Sequence, residues 1–268
     1  MFGSKKEGIG LALSGGGARG LAHIGVLHGL NELGIRPSRV SGASAGSLVG
    51  LLYCAGLEPL HMLELIKDQS FFKVFPRGIS TLGLTDHRLV KDFLMKHVGD
   101  IDFKDLKTPL SVSVTDINEG ESVILEEGKV IPAVIASSSI PVLFQPMDIN
   151  GALYVDGGLM NNLPVEPLIE RCEQVIGVGV CRHEYEAKVE GVRDIGIRSF
   201  QLAIWNTMES RMKECDIALD IREAGSFGMF DFHRGEELFN IGLEAVEAHK
   251  DNLLDLLEGR WNLKRIFT

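Results

Sequence analysis

The stretch VSGASAGSLVGLLYCA, residues 40–55, decides how this chain is read. A short segment opening at Val40 closes on Gly42-Ala43-Ser44-Ala45-Gly46, and an apolar run with helical spacing, Leu48 to Ala55, follows at once. A serine with glycine two residues before it and two after has the spacing of a nucleophile elbow. There the chain turns sharply from strand to helix and lifts the hydroxyl clear of the sheet. Backbone strain at the serine, and the close passage of neighbouring backbone, account for glycine at 42 and 46. So read, the stretch is one strand–turn–helix unit of an α/β protein, with Ser44 as candidate nucleophile.

Upstream, Ile9 to Leu13 is a compact apolar run that stops at Ser14-Gly15-Gly16-Gly17, the profile of a buried parallel strand and a tight loop. From Ala18 to Leu33 apolar residues recur near helical spacing until Gly34 stops them. Strand, helix, strand, helix predicts a right-handed parallel βαβ unit. Downstream, helices are expected around Met62 to Ile66, Leu89 to Leu94, Val130 to Ala136, Val165 to Cys172, Ile195 to Met212 and Leu238 to Leu257. Strands are expected at Leu110 to Val114, Ser122 to Leu125, Leu153 to Val155 and Val175 to Val180. No linker, low-complexity tract or internal repeat divides the chain. The expectation is one domain over 1–268, an α/β/α sandwich around a mostly parallel sheet.

Composition narrows the function. A net charge of −10 argues against nucleic acid as a partner and against a polybasic grip on anionic lipid. Cys54, Cys172, Cys181 and Cys215 are too scattered for a disulfide framework and contain no C-x-x-C pair, which suits a reducing compartment. The N-terminal residues Met1 to Glu7 are polar, and the apolar run after them is too short for a signal peptide or a span. A cytoplasmic protein is expected. No histidine pair has H-x-x-x-H or H-E-x-x-H spacing, so no metal site is expected.

Gly15-Gly16-Gly17-Ala18-Arg19-Gly20 satisfies G-x-G-x-x-G between a strand and a helix, the setting of a dinucleotide fingerprint. That fingerprint wants a carboxylate at the end of the second strand, where this chain has Ser41-Gly42-Ala43-Ser44. An oxyanion hole is the other functional reading. A glycine loop entering a helix presents unpaired N–H groups at the positive end of the helix dipole, and such donors stabilise charge developing on a carbonyl oxygen. A glycine turn that serves close helix–sheet packing is the structural reading. Arg19 either adds positive charge or ties the loop to a carbonyl.

Ser44 needs a base. A Ser-Asp-His order would draw on His183, His233 or His249, yet an elbow after the second strand is early for such a triad, and nothing around them resembles a strand-end catalytic loop. Asp156 fits better. It follows the short strand Leu153-Tyr154-Val155 and precedes Gly157-Gly158, which let the loop bend tightly while presenting the carboxylate. Desolvation can lift a carboxyl pKa far enough for general-base work. Its conjugate acid suits an alkoxide or thiolate leaving group, which points to esters and thioesters over amides.

Taken in order, these blocks resemble the patatin-like phospholipase family over roughly residues 8 to 180. Gly15 to Gly20 matches the family's oxyanion loop, with Gly20 as a supporting residue. Gly42 to Gly46 matches its elbow. Ala136-Ser137-Ser138-Ser139-Ile140-Pro141 is similar to its small-residue block. Asp156-Gly157-Gly158-Leu159, with Asn161-Asn162-Leu163-Pro164, matches its last motif. The resemblance implies a Ser44–Asp156 dyad without a catalytic histidine, an oxyanion hole from the N–H groups of Gly15, Gly16, Gly17 and Ala45, and hydrolysis of fatty acyl esters, including phospholipids, without a cofactor. Nucleotide binding and a non-catalytic lipid-sensing module are the alternatives. The apolar clusters Met62 to Leu65 and Phe71 to Phe75 would line an acyl channel, touch a membrane surface transiently, or belong to the core. The run Leu243 to Leu257 carries Glu244, Glu247, Asp251 and Asp255, the wrong sign for anionic lipid, so packing on the sheet is expected. Residues 181–268 carry no family motif. Oligomeric state, head group and acyl length are not legible.

Overall fold

The structure, a computed structural model, describes residues 6–67, 87–180 and 189–257. Phe71 to Phe75, Cys181 and His183 lie outside them. β1 (Ile9–Leu13) leads through a 3-10 turn, Gly17–Leu21, into α1 (Ala22–Glu32). β2 (Arg39–Ala43) runs into α2 (Ala45–Cys54), followed by α3 (Pro59–Lys67) and α4 (Arg88–His97). Next come the hairpin β3 (Leu110–Asp116) and β4 (Glu121–Leu125), α5 (Val130–Ser137), β5 (Met147–Ile149) and β6 (Ala152–Asp156). Then follow α6 (Glu166–Ile169), β7 (Gln174–Gly179), α7 (Val192–Met212), β8 (Ile217–Asp220), α8 (Gly235–Ala248) and α9 (Lys250–Leu257).

The expected sandwich is present. β3, β2, β1, β7 and β8 pair in parallel, and β4, β6 and β5 add antiparallel pairings at one side. Alternation along the strands divides the sheet between two cores. Leu11, Leu13, Val40, Val112 and Ile176 join Ile24 and Leu27 of α1, Leu51 of α2 and Val134 of α5. Ala12 and Val175 join Leu168 of α6 with Phe200, Ile204 and Met208 of α7 on the other side.

One edge of β3 sets up the site. β2 pairs with β3 up to Ala43 opposite Ser113, and β6 pairs with it from Asp156 opposite Val114. β4 pairs with Val112 to Asp116 and so occupies the other edge across both stretches. β2 and β6 therefore share an edge, and because one is parallel to β3 and the other antiparallel, their C-terminal ends meet head to head. Ser44 begins where β2 stops, and Asp156 is the last residue of β6.

Several elements differ from expectation. The helix expected at Val165 to Cys172 is a single turn, Glu166–Ile169, with Cys172 N–H still bonded to the Leu168 carbonyl. Leu238 to Leu257 is two helices broken at His249, where neither glycine nor proline signals a stop. α8 packs on α1 rather than on the sheet. This crossing is close: a Cβ on Gly25 would strike the Phe239 carbonyl, and one on Gly242 would strike that of Ala22.

The crossing makes a stability prediction. Gly25→Ala forces two backbones apart and should cost about 1–3 kcal/mol, read as a lower urea midpoint. Gly191→Ala, where φ is −160° and nothing lies within 4 Å of the new carbon, should leave the midpoint unchanged.

Candidate active site

Ser44 adopts φ 50° and ψ −123°, a left-handed conformation that costs a non-glycine residue about 1–3 kcal/mol. The surroundings hold it there. Its N–H donates to Ser137 Oγ at 2.8 Å, and that hydroxyl donates in turn to the Ser113 carbonyl at 2.7 Å. The Ser44 carbonyl accepts from the N–H groups of Ser47 and Leu48 and from Ser47 Oγ, starting α2. A Cβ on Gly42 would stand 2.6 Å from the carbonyl carbon of Gly46, so the tight return of the chain excludes one.

Ser44 Oγ donates to Asp156 Oδ2 at 2.6 Å, and the Gly158 N–H donates to Asp156 Oδ1 at 2.8 Å. The backbone of Asp156 is fixed as well, by its N–H to the Ser139 carbonyl and by Thr115 Oγ1 to its own carbonyl. Gly157 sits against the Ser113 carbonyl, where no Cβ fits. The Asp156 carboxyl is wholly buried, and loss of water around it pushes its pKa up to about 7, against the opposing pull of the Ser44 and Gly158 hydrogen bonds. A carboxylate with that pKa titrates where a general base operates.

The glycine loop lies beside this pair. Gly15 N–H donates to Asn162, to Oδ1 at 3.1 Å and to the carbonyl at 3.3 Å, and Ala18 N–H donates to the Met229 carbonyl at 2.8 Å. Among the described residues no hydrogen bond engages the N–H groups of Gly16, Gly17 or Ala45. Gly16 and Gly17 line one cleft with Ser44, and the Ala45 N–H begins α2 at its positive end. Gly20 lies against Ala45, where there is no room for a side chain. Arg19 is buried and donates from Nε to the Phe227 carbonyl at 2.7 Å, so it ties the loop down while also lining the cleft. Ile140, Phe200 and Ile204 give the cleft apolar walls.

Other residues escaped a role in the sequence. Asn162 and Ser137 stand inside the quoted blocks, but only the fold reveals what they hold. His23 had no motif at all. Buried on α1, it bonds through Nε2 to the Ser14 carbonyl at 2.7 Å, so Nε2 carries the proton and Nδ1 is left without a partner. Burial pushes its pKa down to about 4 against that hydrogen bond, and the neutral ring braces the loop from behind. Among the described residues, no histidine bonds to Ser44 or Asp156. His233 is exposed, and His249 bonds to the Ala245 carbonyl of its own helix. Nor do the described residues contain a cluster of His, Cys, Asp or Glu able to hold a metal ion, or a helix long and apolar enough to cross a membrane.

Known proteins are similar to this chain. The family described as patatin-like phospholipase matches residues 11–169. An NTE family protein of Mycobacterium tuberculosis, itself described as uncharacterized, is 33% identical over 62% of this chain and 47% of its own length. The lysophospholipase NTE1 of Cryptococcus neoformans is 34% identical, over 88% of this chain and 17% of its own. This chain thus spans less than half the length of these curated relatives. Among solved structures, VipD of Legionella pneumophila aligns with a TM-score of 0.48 and 15% identity, covering 92% of this chain and 67% of that one.

Burial of Asp156 has a consequence for stability. Its folded pKa, about 7, lies above the ordinary 3.8, so the native state holds a proton that the unfolded chain gives up. Its contribution is therefore fully present below 3.8 and is lost as pH rises through about 7. Asp156→Asn keeps an acceptor for Gly158 and a donor for Ser44 but does not ionise. Thermal unfolding should find it several degrees more stable than the parent at pH 8.5, at about 2–4 °C per kcal/mol, and nearly equal at pH 4.

Proposed function

Because the chain belongs to the patatin-like phospholipase family, we propose that it is a serine lipid acyl hydrolase working through a Ser44–Asp156 dyad. The observation that carries this reading is the 2.6 Å hydrogen bond from Ser44 Oγ to a buried carboxylate whose pKa is about 7. Ser44 attacks the acyl carbonyl while its proton passes to Asp156 Oδ2. The oxyanion takes hydrogen bonds from the N–H groups of Gly16, Gly17 and Ala45, each such donor being worth about 10²–10³ in rate. Gly15, engaged with Asn162, shapes the loop rather than donating. Protonated Asp156 then gives its proton to the leaving alkoxide. Water attacks the acyl-enzyme, with Asp156 again as base, and releases the fatty acid and free Ser44.

The proton inventory supports this division of labour. An alkoxide leaving group accepts a proton readily from an acid of pKa about 7, so an oxygen ester suits Asp156. The relative named a lysophospholipase supports lipid acyl esters as the substrate class. Three buried free thiols, Cys54, Cys172 and Cys215, support residence in the reducing cytoplasm, with transient contact at a membrane surface to reach lipid. The excess negative charge supports a protein that does not bind nucleic acid.

Turnover of a soluble acyl ester tests the dyad. Ser44→Ala and Asp156→Asn should each lower kcat by at least about 10³-fold in a folded protein. The combined substitution of His183, His233 and His249 should keep kcat within about two-fold. A folded but dead histidine variant would replace the dyad with a triad.

A further inference from the structure

We propose that a pocket at the opposite end of the sheet from Ser44 binds a small organic phosphate, with Arg39 holding the phosphate group. The reaction at Ser44 plays no part in this second site.

The pocket opens where two parallel strands begin. Arg39 is the first residue of β2 and Leu110 the first of β3, whereas Ser44 follows the last residue of β2. Five residues of extended chain, at about 3.3 Å each, set the two ends roughly 16 Å apart. The cavity volume is about 520 Å³, within the range of small-molecule sites. Its other walls are a 3-10 turn, Phe103–Asp105, and the segment Glu126 to Gly128 after β4. Those walls are fixed to each other. The Phe103 N–H donates to the Gly128 carbonyl at 3.0 Å, and Lys129 pairs with Asp100 and Asp102, each at 3.2 Å. The space is therefore formed in advance of any ligand.

Most charged groups on the walls already have partners. Glu126 accepts from Ser111 Oγ at 2.5 Å and pairs with Arg171 at 2.6 Å. Asp102 has Lys129 and, at 4.0 Å, Lys104. Arg39 is different. It is half-buried, yet among the described residues its guanidinium makes no hydrogen bond or ion pair. A charge removed from water without a counter-ion is costly, and the partner that matches an arginine fork is a phosphate or a carboxylate.

The surrounding charge has the same sign. The charged groups that act on Cys172, beside Arg39, are Arg39, Lys6 and Arg171, all cations in a chain of net charge −10. Lys6 donates to the Ile169 carbonyl, which leaves its charge uncompensated. Lys104 adds an exposed cation on the facing wall. Between such walls a doubly charged phosphate gains more than a singly charged carboxylate. Leu106 and Pro109 supply apolar surface, so the phosphate that fits best carries a hydrophobic body.

Calorimetric titration of the full chain with 1-naphthyl phosphate tests the site. The Kd should lie below about 1 mM, in keeping with a ligand of that size. Inorganic phosphate, without the apolar body, and 1-naphthol, without the charge, should each bind at least about ten-fold more weakly. Arg39→Gln should weaken 1-naphthyl phosphate by about 10- to 100-fold. Glu127→Gln removes an exposed carboxylate from the pocket and should tighten binding about two-fold, a gain that misfolding cannot produce. If Arg39→Gln does not fold, Lys104→Gln on the exposed wall should weaken binding about two-fold. The assignment is overturned if 1-naphthyl phosphate does not bind, or if its affinity ignores Arg39, Lys104 and Glu127. It is equally overturned if 1-naphthoate or inorganic phosphate binds as tightly.

Discussion

The 2.6 Å hydrogen bond between Ser44 and Asp156 depends on one strand edge. β3 carries β2 up to Ser113 and β6 from Val114, so consecutive residues of a single strand place the ends of the other two face to face. Much of the surrounding structure serves to keep those ends in register. Ser137 ties the end of β2 to β3, accepting from the Ser44 N–H and donating to the Ser113 carbonyl. Thr115 anchors Asp156 from the same strand. A slip of one residue on either side would turn one of the two side chains to the wrong face of the sheet.

Electrostatics sets the second constraint. Burial raises the Asp156 pKa, and the hydrogen bonds of Ser44 and Gly158 hold it back, leaving about 7. Under the proposed mechanism a drier carboxyl would stay protonated and could not take the serine proton. A better-solvated one would be too weak a base to do so. His23 meets burial in the opposite sense, with a pKa near 4 that keeps it neutral and donating to the Ser14 carbonyl. The site thus keeps one buried group near its titration point and another far from it.

Much of this was legible in the chain. Apolar runs ending at Gly15 and Gly42 announced β1 and β2, and the order of small-residue blocks announced Ser44 and Asp156. Legibility failed where tertiary context decides. β5 and β8 are three and four residues long, too short for a period to emerge. The break at His249 has no local signal. Gly15 resembled an oxyanion donor because its neighbours do, yet Asn162, 147 positions away, takes its N–H. Gly25 and Gly242 read as ordinary helix residues, although they permit the close crossing of α1 and α8.

The central claim is that Asp156, and no histidine, governs the nucleophilicity of Ser44. The most direct measurement is the second-order rate of phosphonylation of Ser44 by a fluorophosphonate, followed by intact-mass spectrometry across pH. The account predicts a rate that climbs through a single midpoint near pH 7, and a slow, nearly pH-independent rate in Asp156→Asn. An unchanged rate in that variant, or modification at a residue other than Ser44, would contradict it.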